Sequence, residues 1–552
     1  VNTANIHSAA IETPVMIVGG GITGLSAALF LARAGIRPVL VERHPSTALQ
    51  PQARAFNPRS MEIYRALGLE PEIRERTSIL AALPEMFGAE TLAGAERFRV
   101  DVLAQVRPPA TLSPTDWAMI DQDELERVVR AHAEKSGADI RFGTELRSVE
   151  TTADGVTALV RDLDTGADYP VHADYLVAAD GNRAGIRTKL GIGADGPGEL
   201  LYAANFLFDA DLTALLRGRR FLLGYLDQPI TGTALVPGRE PGRWSLGIPF
   251  GPETGASLDD FTEQRCIDLA RRAIGDPGLE LTLVPPLPGS SKHVGATRIG
   301  GWVARQFRVG RIFFAGDAAR VVPPTGSFGA NSGIADAHNL AWKLAAVVKG
   351  QAGESLLDTY QDERRPVSVT TLDQAMQRLH GRHHGTGDTA AAIDDLTMIL
   401  GYRYRSAAVV SETPDHNEPV EDPRHATGRP GLRAPHLWLR SAGTTLSTLD
   451  LCDGGFLLLT GPAGTAWTAA AENATTTLGL DVTVHQIGTD YTDPDNLFHT
   501  AFGITDTGAT LVRPDGFVAW RTATLPQHPD SELLRTLTQV LARADQQALL
   551  PS

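Results

Sequence analysis

The stretch Val15-Met16-Ile17-Val18-Gly19-Gly20-Gly21-Ile22-Thr23-Gly24-Leu25 decides the fold. An apolar run ends in glycines at positions 19, 21 and 24, and eighteen residues past the third, Glu42 closes a second apolar run that begins at Pro38. Strand, glycine-rich turn, helix (Leu25 to Arg33), strand and acid, in that order, make a dinucleotide-binding βαβ unit. Gly19 allows a tight turn, Gly21 lets a pyrophosphate approach the backbone, and Gly24 lets helix lie on strand. The phosphates then rest on the helix N-terminus near Ile22 and Thr23. A carboxylate at Glu42 accepts hydrogen bonds from an adenosine ribose and repels a 2'-phosphate, so FAD or NAD fits better than NADP.

Composition narrows the partners. The 552 residues are enough for two or three domains, and 42% hydrophobic content supplies large cores. A formal charge of -15, from 65 acids against 50 bases, with no basic cluster interleaved with aromatics, argues against nucleic acid. Cys266, expected in a helix, and Cys452, expected in a strand, have neither a C-x-x-C neighbour nor a histidine cluster, which argues against disulfides, thiol redox chemistry and zinc. Residues 1–13 lack a basic start followed by an apolar stretch, and no run approaches the ~18 apolar residues of a membrane span. The expectation is a soluble, cytoplasmic protein with no membrane partner.

Along the chain, helical spacing recurs at Pro58 to Leu67 and Gln122 to Lys135. Asp139 to Phe142, Glu145 to Glu150, Val156 to Arg161 and Tyr169 to His172 read as a small antiparallel layer, and Tyr175 to Ala179 as a buried strand of the main sheet. Strand-like runs at Asn205 to Asp211, Phe221 to Leu226, Thr231 to Val236 and Trp244 to Phe250, followed by a helix at Leu258 to Ala273, suggest a second, sheet-bearing domain. Ile312 to Ala315 resumes the parallel pattern, with long helices at Ser332 to Val348 and Leu356 to His380. The proline-rich stretch 411–436 reads as a linker to a third, small α/β domain.

Three further motifs stand far apart: Tyr175-Leu-Val-Ala-Ala-Asp180-Gly181, Ile312-Phe-Phe-Ala-Gly316-Asp317-Ala318-Ala319 and Pro323-Pro324-Thr325-Gly326-Ser327-Phe328-Gly329-Ala330-Asn331. Asp317 ends a sheet strand, where ligands sit in such folds, and can accept hydrogen bonds from a polyol chain. The proline-glycine loop leads into a helix near Asn331, offering amides and a positive helix end to an electron-rich ring edge. Over residues 13–400 this set resembles the FAD-dependent aromatic hydroxylases of the para-hydroxybenzoate hydroxylase type, the single-component flavoprotein monooxygenases. The runs Pro58-Arg59-Ser60-Met61-Glu62, Asp336-Ala337-His338-Asn339-Leu340-Ala341-Trp342-Lys343-Leu344 and Gly401-Tyr402-Arg403-Tyr404-Arg405-Ser406 look like its polyketide-modifying branch, similar to aklavinone 11-hydroxylase.

The resemblance implies an α/β fold: an FAD-binding Rossmann-like domain, a β-sheet substrate domain and a C-terminal thioredoxin-like domain. Its ranges would be 1–180 (with 75–118 contributing to the substrate domain) and 296–410 for FAD, 181–295 for substrate, and 437–552 for the thioredoxin-like part, which lacks redox cysteines and would serve packing or homo-oligomerisation. It further implies that Gly19, Gly21, Thr23 and Gly24 face the FAD pyrophosphate, that Glu42 holds the ribose with Arg43 beside the adenosine, and that Leu146 meets the adenine. Arg54 would meet the flavin diphosphate, and Gln122 opens the following helix. Asp180 and Gly181 match the second FAD motif, Asp317 the ribityl-binding aspartate, and Pro324, Gly326, Ser327, Gly329, Ala330 and Asn331 the strip under the isoalloxazine. Many relatives carry a second glycine where this chain has Ser327.

Such an enzyme takes hydride from NADPH or NADH bound transiently, since only one Rossmann fingerprint is present, and shields a flavin hydroperoxide from water. The expected reaction is hydroxylation of an anthracycline- or angucycline-like polycyclic phenol with O2. The alternatives are Baeyer-Villiger or ring-rearranging oxygenation of a polycyclic ketone, or a non-oxygenating flavin reductase. Tyr225 is the candidate for polarising the substrate hydroxyl. Trp117, Phe206, Phe221 and Trp244 are candidates for lining a wide pocket.

Overall fold

The computed structural model describes residues 10–47, 53–83, 85–251, 256–286, 290–383, 392–412 and 417–543. The opening motif builds the centre of an eight-stranded sheet, in which Ile11–Val18 lies parallel to both Val39–Glu42 and Asp168–Ala178. Ile312–Phe314 extends it on one side and Asp139–Phe142 on the other, both parallel. Strands buried on both faces need continuous apolar runs, and Val15, Met16 and Ile17 are fully buried. Helix Ile22–Arg33 buries ten of its twelve residues between this sheet and helix Phe328–Val348.

Two strand assignments change. Asp139–Phe142 joins the parallel sheet rather than an antiparallel layer. Tyr169–His172 and Tyr175–Ala178 are one strand, Asp168–Ala178, whose first half alternates because its other neighbour, Val156–Asp162, is antiparallel and part of an exposed hairpin.

A second sheet of nine strands runs in the order 320–321, 294–304, 194–209, 243–250, 233–237, 221–226, 85–89, 96–101, with 282–284 also on 194–209. The strand Val294–Ala304 carries this sheet past residue 295, the expected end of the substrate domain. Helix Glu263–Ile274 covers one face, over a core that includes Phe87, Phe206, Phe208, Phe221, Trp244 and Leu246.

The third unit has four strands in the order 482–486, 456–460, 509–512, 518–522. Helix Ala466–Leu478 connects the parallel first pair, the remaining pairings are antiparallel, and helix Pro529–Val540 closes the unit, a thioredoxin-like arrangement. Cys452 follows the short turn Thr448–Leu451 rather than sitting in a strand. Burial pushes the Cys266 and Cys452 thiols up, to about 11 and about 12, which disfavours the thiolate at both.

The stretch expected as a linker is, over 417–436, built into the fold. Val420 bridges Tyr402, Arg433 bridges Phe517, and Leu432, Arg433, Ala434 and His436 are buried. Prolines there set the path of a packed segment; Pro414 lies outside the described residues. Among the described residues no helix is long and apolar enough to cross a membrane, and no group of His, Cys, Asp or Glu could hold a metal ion.

Candidate active site

At the carboxyl end of the first sheet each glycine has a separate reason. Gly19 has φ +114°, and a Cβ there would overlap the carbonyl oxygen of Ala179. A Cβ on Gly24 would overlap the Gly19 carbonyl, so only glycine lets the helix sit this close to the turn. Gly21 is exposed, caps the helix N-terminus, and has only Glu126 Oε1 near it, at 3.9 Å. Its open side is the one a ligand can approach. Gly20, absent from the expected set, is as constrained: its Cβ would lie 2.8 Å from that of Glu42, and its N–H donates to Glu42 Oε2 at 2.7 Å. The N–H of His44 donates to Glu42 Oε1 at 2.9 Å, so the carboxylate is held in place before any ribose arrives. Arg43 beside it is exposed. Thr23 turns its side chain away from this opening, against Gly316 and Gly333, where a Cβ on either would overlap its Oγ1.

Asp180 and Asp317 stand at the ends of neighbouring parallel strands. Asp180 Oδ2 accepts from Ile186 N at 3.0 Å, while its buried Oδ1 has no partner in the protein. Burial raises its carboxyl above the ordinary range, against the pull of backbone N–H groups. Gly181 follows with φ +78°. Asp317 is reached by solvent yet enclosed closely enough that desolvation raises its carboxyl as well.

The loop 323–331 is pinned from behind. Thr325 Oγ1 donates to Ala375 O at 2.7 Å, and Pro324 and Ser327 are exposed while Gly326, Gly329 and Ala330 are partly so. Ser327 adopts φ +55°, a left-handed conformation that favours glycine, so a serine is held there against its own backbone preference. The Asn331 side chain is held within the protein: its Oδ1 accepts from Asn57 N (2.9 Å) and Ser60 Oγ (2.7 Å), and its Nδ2 donates to Ser327 O (2.7 Å) and Ala55 O (3.3 Å). Its side chain ties the loop to segment 55–60 and is not offered to a ring.

Behind both elements sits a residue that the sequence reading quoted without a role. Asp336, fully buried, accepts from Gly316 N at 3.0 Å, from Arg364 Nε at 2.7 Å and from Arg320 Nη1. Arg320 also reaches Gly329 O at 3.5 Å, so one ion cluster fixes the Asp317 turn and the ring loop together. A charged residue on an otherwise apolar helix stripe was the available signal.

Arg54 bridges the two sheets: its Nη1 donates to Pro237 O at 2.9 Å and its Nε lies 3.3 Å from Asp121. Arg239, in the turn between strands 233–237 and 243–250, pairs with Asp121 at 2.6 Å and also with Asp123, next to Gln122. Gln122 accepts from Ala53 N at 3.1 Å and donates to Glu126 Oε1 at 2.8 Å. Leu146 is half-buried against the first core, on the strand Thr144–Thr151, which pairs with Val156–Asp162.

The second sheet's two faces settle the pocket candidates. Phe206, Phe221 and Trp244 are 1%, 2% and 8% exposed and pack toward helix Glu263–Ile274, so they are core and not pocket. A register irregularity between Phe221 and Leu223 interrupts the alternation, so that Gly224 and Leu226 turn to the buried side and Tyr225 to the opposite, half-exposed face. The pairings Tyr225↔Ala234, Ala234↔Gly247 and Gly247↔Asn205 make one row across that face. Trp117 packs beside Phe328 and Val322, next to the ring loop.

The third unit is bolted to the first by charges. Arg513 donates to both oxygens of Glu363 (2.6 and 2.9 Å) and to Asp515, Lys343 reaches Glu363 at 2.8 Å, and Asn339 Nδ2 donates to Asp515 at 3.0 Å. All five are buried. Burial opposes ionisation of Glu363, but the charges of Arg513 and Lys343 outweigh it and hold the carboxyl well below its usual range.

The glycine turn, the anchored Glu42, the unpartnered Asp180 oxygen and the exposed Asp317 thus gather at one end of the first sheet. An FAD binding domain model matches residues 12–375 and an aromatic-ring hydroxylase C-terminal model residues 427–544. A tetracenomycin A2 monooxygenase-dioxygenase of Streptomyces glaucescens is 41% identical, over 96% of this chain and 97% of its own. A 4-methyl-5-nitrocatechol 5-monooxygenase of a Burkholderia species is 42% identical, over 97% and 98%. The crystal structure of aklavinone-11 hydroxylase with FAD and aklavinone superposes with a TM-score of 0.88 at 37% identity, covering 98% of this chain and all (100%) of that one. The chain belongs to the FAD-dependent aromatic-ring hydroxylases.

Proposed function

We propose that this FAD-dependent monooxygenase hydroxylates a polycyclic aromatic polyketide, with NADPH or NADH as transient reductant and O2 as oxidant. FAD would lie with its pyrophosphate at Gly19, Gly21, Gly24 and the backbone of Thr23, and its ribose on Glu42 with Arg43 and Leu146 toward the adenosine. Arg54 and Gln122 would flank the diphosphate, Asp180, Gly181 and Asp317 the ribityl chain, and Pro324, Gly326, Ser327, Gly329 and Ala330 the ring, with Asn331 as the tether behind them. Bound there, FAD supplies acceptance of hydride and activation of dioxygen.

The residues of the chain do the rest. Tyr225 Oη accepts a hydrogen bond from the substrate hydroxyl, drawing its proton away and enriching the ring carbon that is attacked. The open sheet face excludes water from one side of the aromatic plane, and the loop 323–331, clamped through Asp336 and Arg320, keeps a fixed distance from it. The observation that carries this reading is the contrast between a packed aromatic face and a half-exposed face of small side chains on one sheet.

The test is turnover of flavin-loaded protein with aklavinone and related fused-ring phenols under isotopically labelled dioxygen. A phenolic product bearing one labelled oxygen is expected, with NAD(P)H oxidation dependent on substrate. A lactone would assign Baeyer-Villiger oxygenation, and reduction without oxygen uptake would assign a reductase; either overturns the proposal.

A further inference from the structure

Resting on that reading, we propose that Asn205 and the floor Ala234–Gly247 set the substrate's size, selecting a fused-ring phenol over a single ring. The row Tyr225, Ala234, Gly247, Asn205 crosses four strands, and its ends are roughly 14 Å apart at ordinary strand spacing. Between the two polar ends the floor is a methyl group and a glycine. A Cβ on Gly247 would meet Asn205 Oδ1 at 2.9 Å and Ala234 Cβ at 3.9 Å and otherwise nothing closer than 4 Å. Gly295, next in the row, has nothing within 4 Å of such a Cβ. The rows to either side, Val236 with Ser245 and Leu207, and Pro249 with Ala203, are also small or apolar and half-exposed.

Asn205 is oriented by its own donors: Nδ2 donates to Ala203 O at 3.0 Å and to Thr297 Oγ1 at 2.8 Å. That leaves Oδ1 over Gly247, an acceptor at the end of the floor opposite Tyr225. A flat ring system long enough to touch both ends can donate a hydroxyl hydrogen to Asn205 Oδ1 while a second hydroxyl meets Tyr225 Oη. A single ring reaches one end only.

The experiment uses FAD-loaded protein, with aklavinone as the fused-ring probe and 4-methyl-5-nitrocatechol as the single-ring probe, binding being read from the perturbed flavin absorbance. Gly247→Val and, independently, Ala234→Leu are expected to weaken aklavinone binding at least tenfold and catechol binding less than twofold, with flavin content unchanged. Asn205→Ala is expected to raise KM for the fused-ring substrate about three- to tenfold at constant kcat, the signature of a bond made equally in ground and transition states. Wild-type turnover with all three variants unchanged overturns the size filter alone. A wild type that takes the catechol and no fused-ring phenol overturns both this inference and the proposed function.

Discussion

The carboxyl end of the first sheet and the open face of the second, the two places where the proposed function puts ligands, are built by opposite means. The first is made of backbone: glycines that clear space, N–H groups that hold Glu42, strand ends that present Asp180 and Asp317. The second is made of side chains one strand apart, each contributed by a different strand. A backbone site tolerates almost no added atom, whereas a side-chain floor can be resized one residue at a time.

The sharpest way to break that comparison is Gly24→Val. The new side chain collides with the Gly19 carbonyl, and the expected outcome is loss of folded, yellow protein, checked by flavin absorbance of the purified chain. Survival of FAD binding would show that the turn is softer than the geometry states. Next in size is Arg513→Met, which strands Glu363 and Asp515 in the interior and should cost about 3–5 kcal/mol, read as a fall in Tm. Tyr225→Phe should slow hydroxylation by about ten- to a hundredfold with flavin content unchanged, as loss of proton-accepting assistance does; an unaltered rate would return that tyrosine to mere sheet structure.

A smaller effect concerns pH. His436 sits between Ser447 Oγ (2.7 Å) and Ala110 O (3.1 Å), and burial lowers its pKa to about 4. Below about pH 6.5 the unfolded chain binds a proton that the folded one refuses, so stability is full above that value and falls as pH drops toward 4. The share of His436 at pH 5 should be about 2 kcal/mol, measured as the difference in Tm loss between wild type and His436→Asn. Smallest is Ser327→Gly, which relieves a left-handed serine and should stabilise by about 1 kcal/mol or less.

The same contrast governs what the sequence discloses. The glycine turn, its helix, Glu42, Asp180 and Asp317 lie in contiguous runs whose spacing is itself the structure, so the strand ends that the proposed nucleotide site would use were legible from them. The proposed substrate floor was not, because Tyr225, Ala234, Gly247 and Asn205 fall into one row only through the registers of their strand pairings, which no spacing in the sequence displays. Large aromatics drew attention to Phe206, Phe221 and Trp244, yet on a two-faced sheet the bulky residues fill the covered side. Asn331 carried the right motif and the wrong direction: a pattern places a residue, but its hydrogen-bond partners decide where the side chain points. The helix Ala466–Leu478, with its run of alanines and threonines, lacks a strong apolar stripe and was not anticipated.

The cluster of Glu363, Lys343, Arg513 and Asp515 has a practical corollary for anyone shortening this enzyme. A chain cut between the two matched domains would take the Arg513 guanidinium away from Glu363 and open that carboxylate, with the Lys343 ammonium paired to it, to the gap. Trimming there should yield aggregates instead of a minimal catalyst, so the thioredoxin-like module, though it lacks a Cys-x-x-Cys pair, is a keystone and not an ornament.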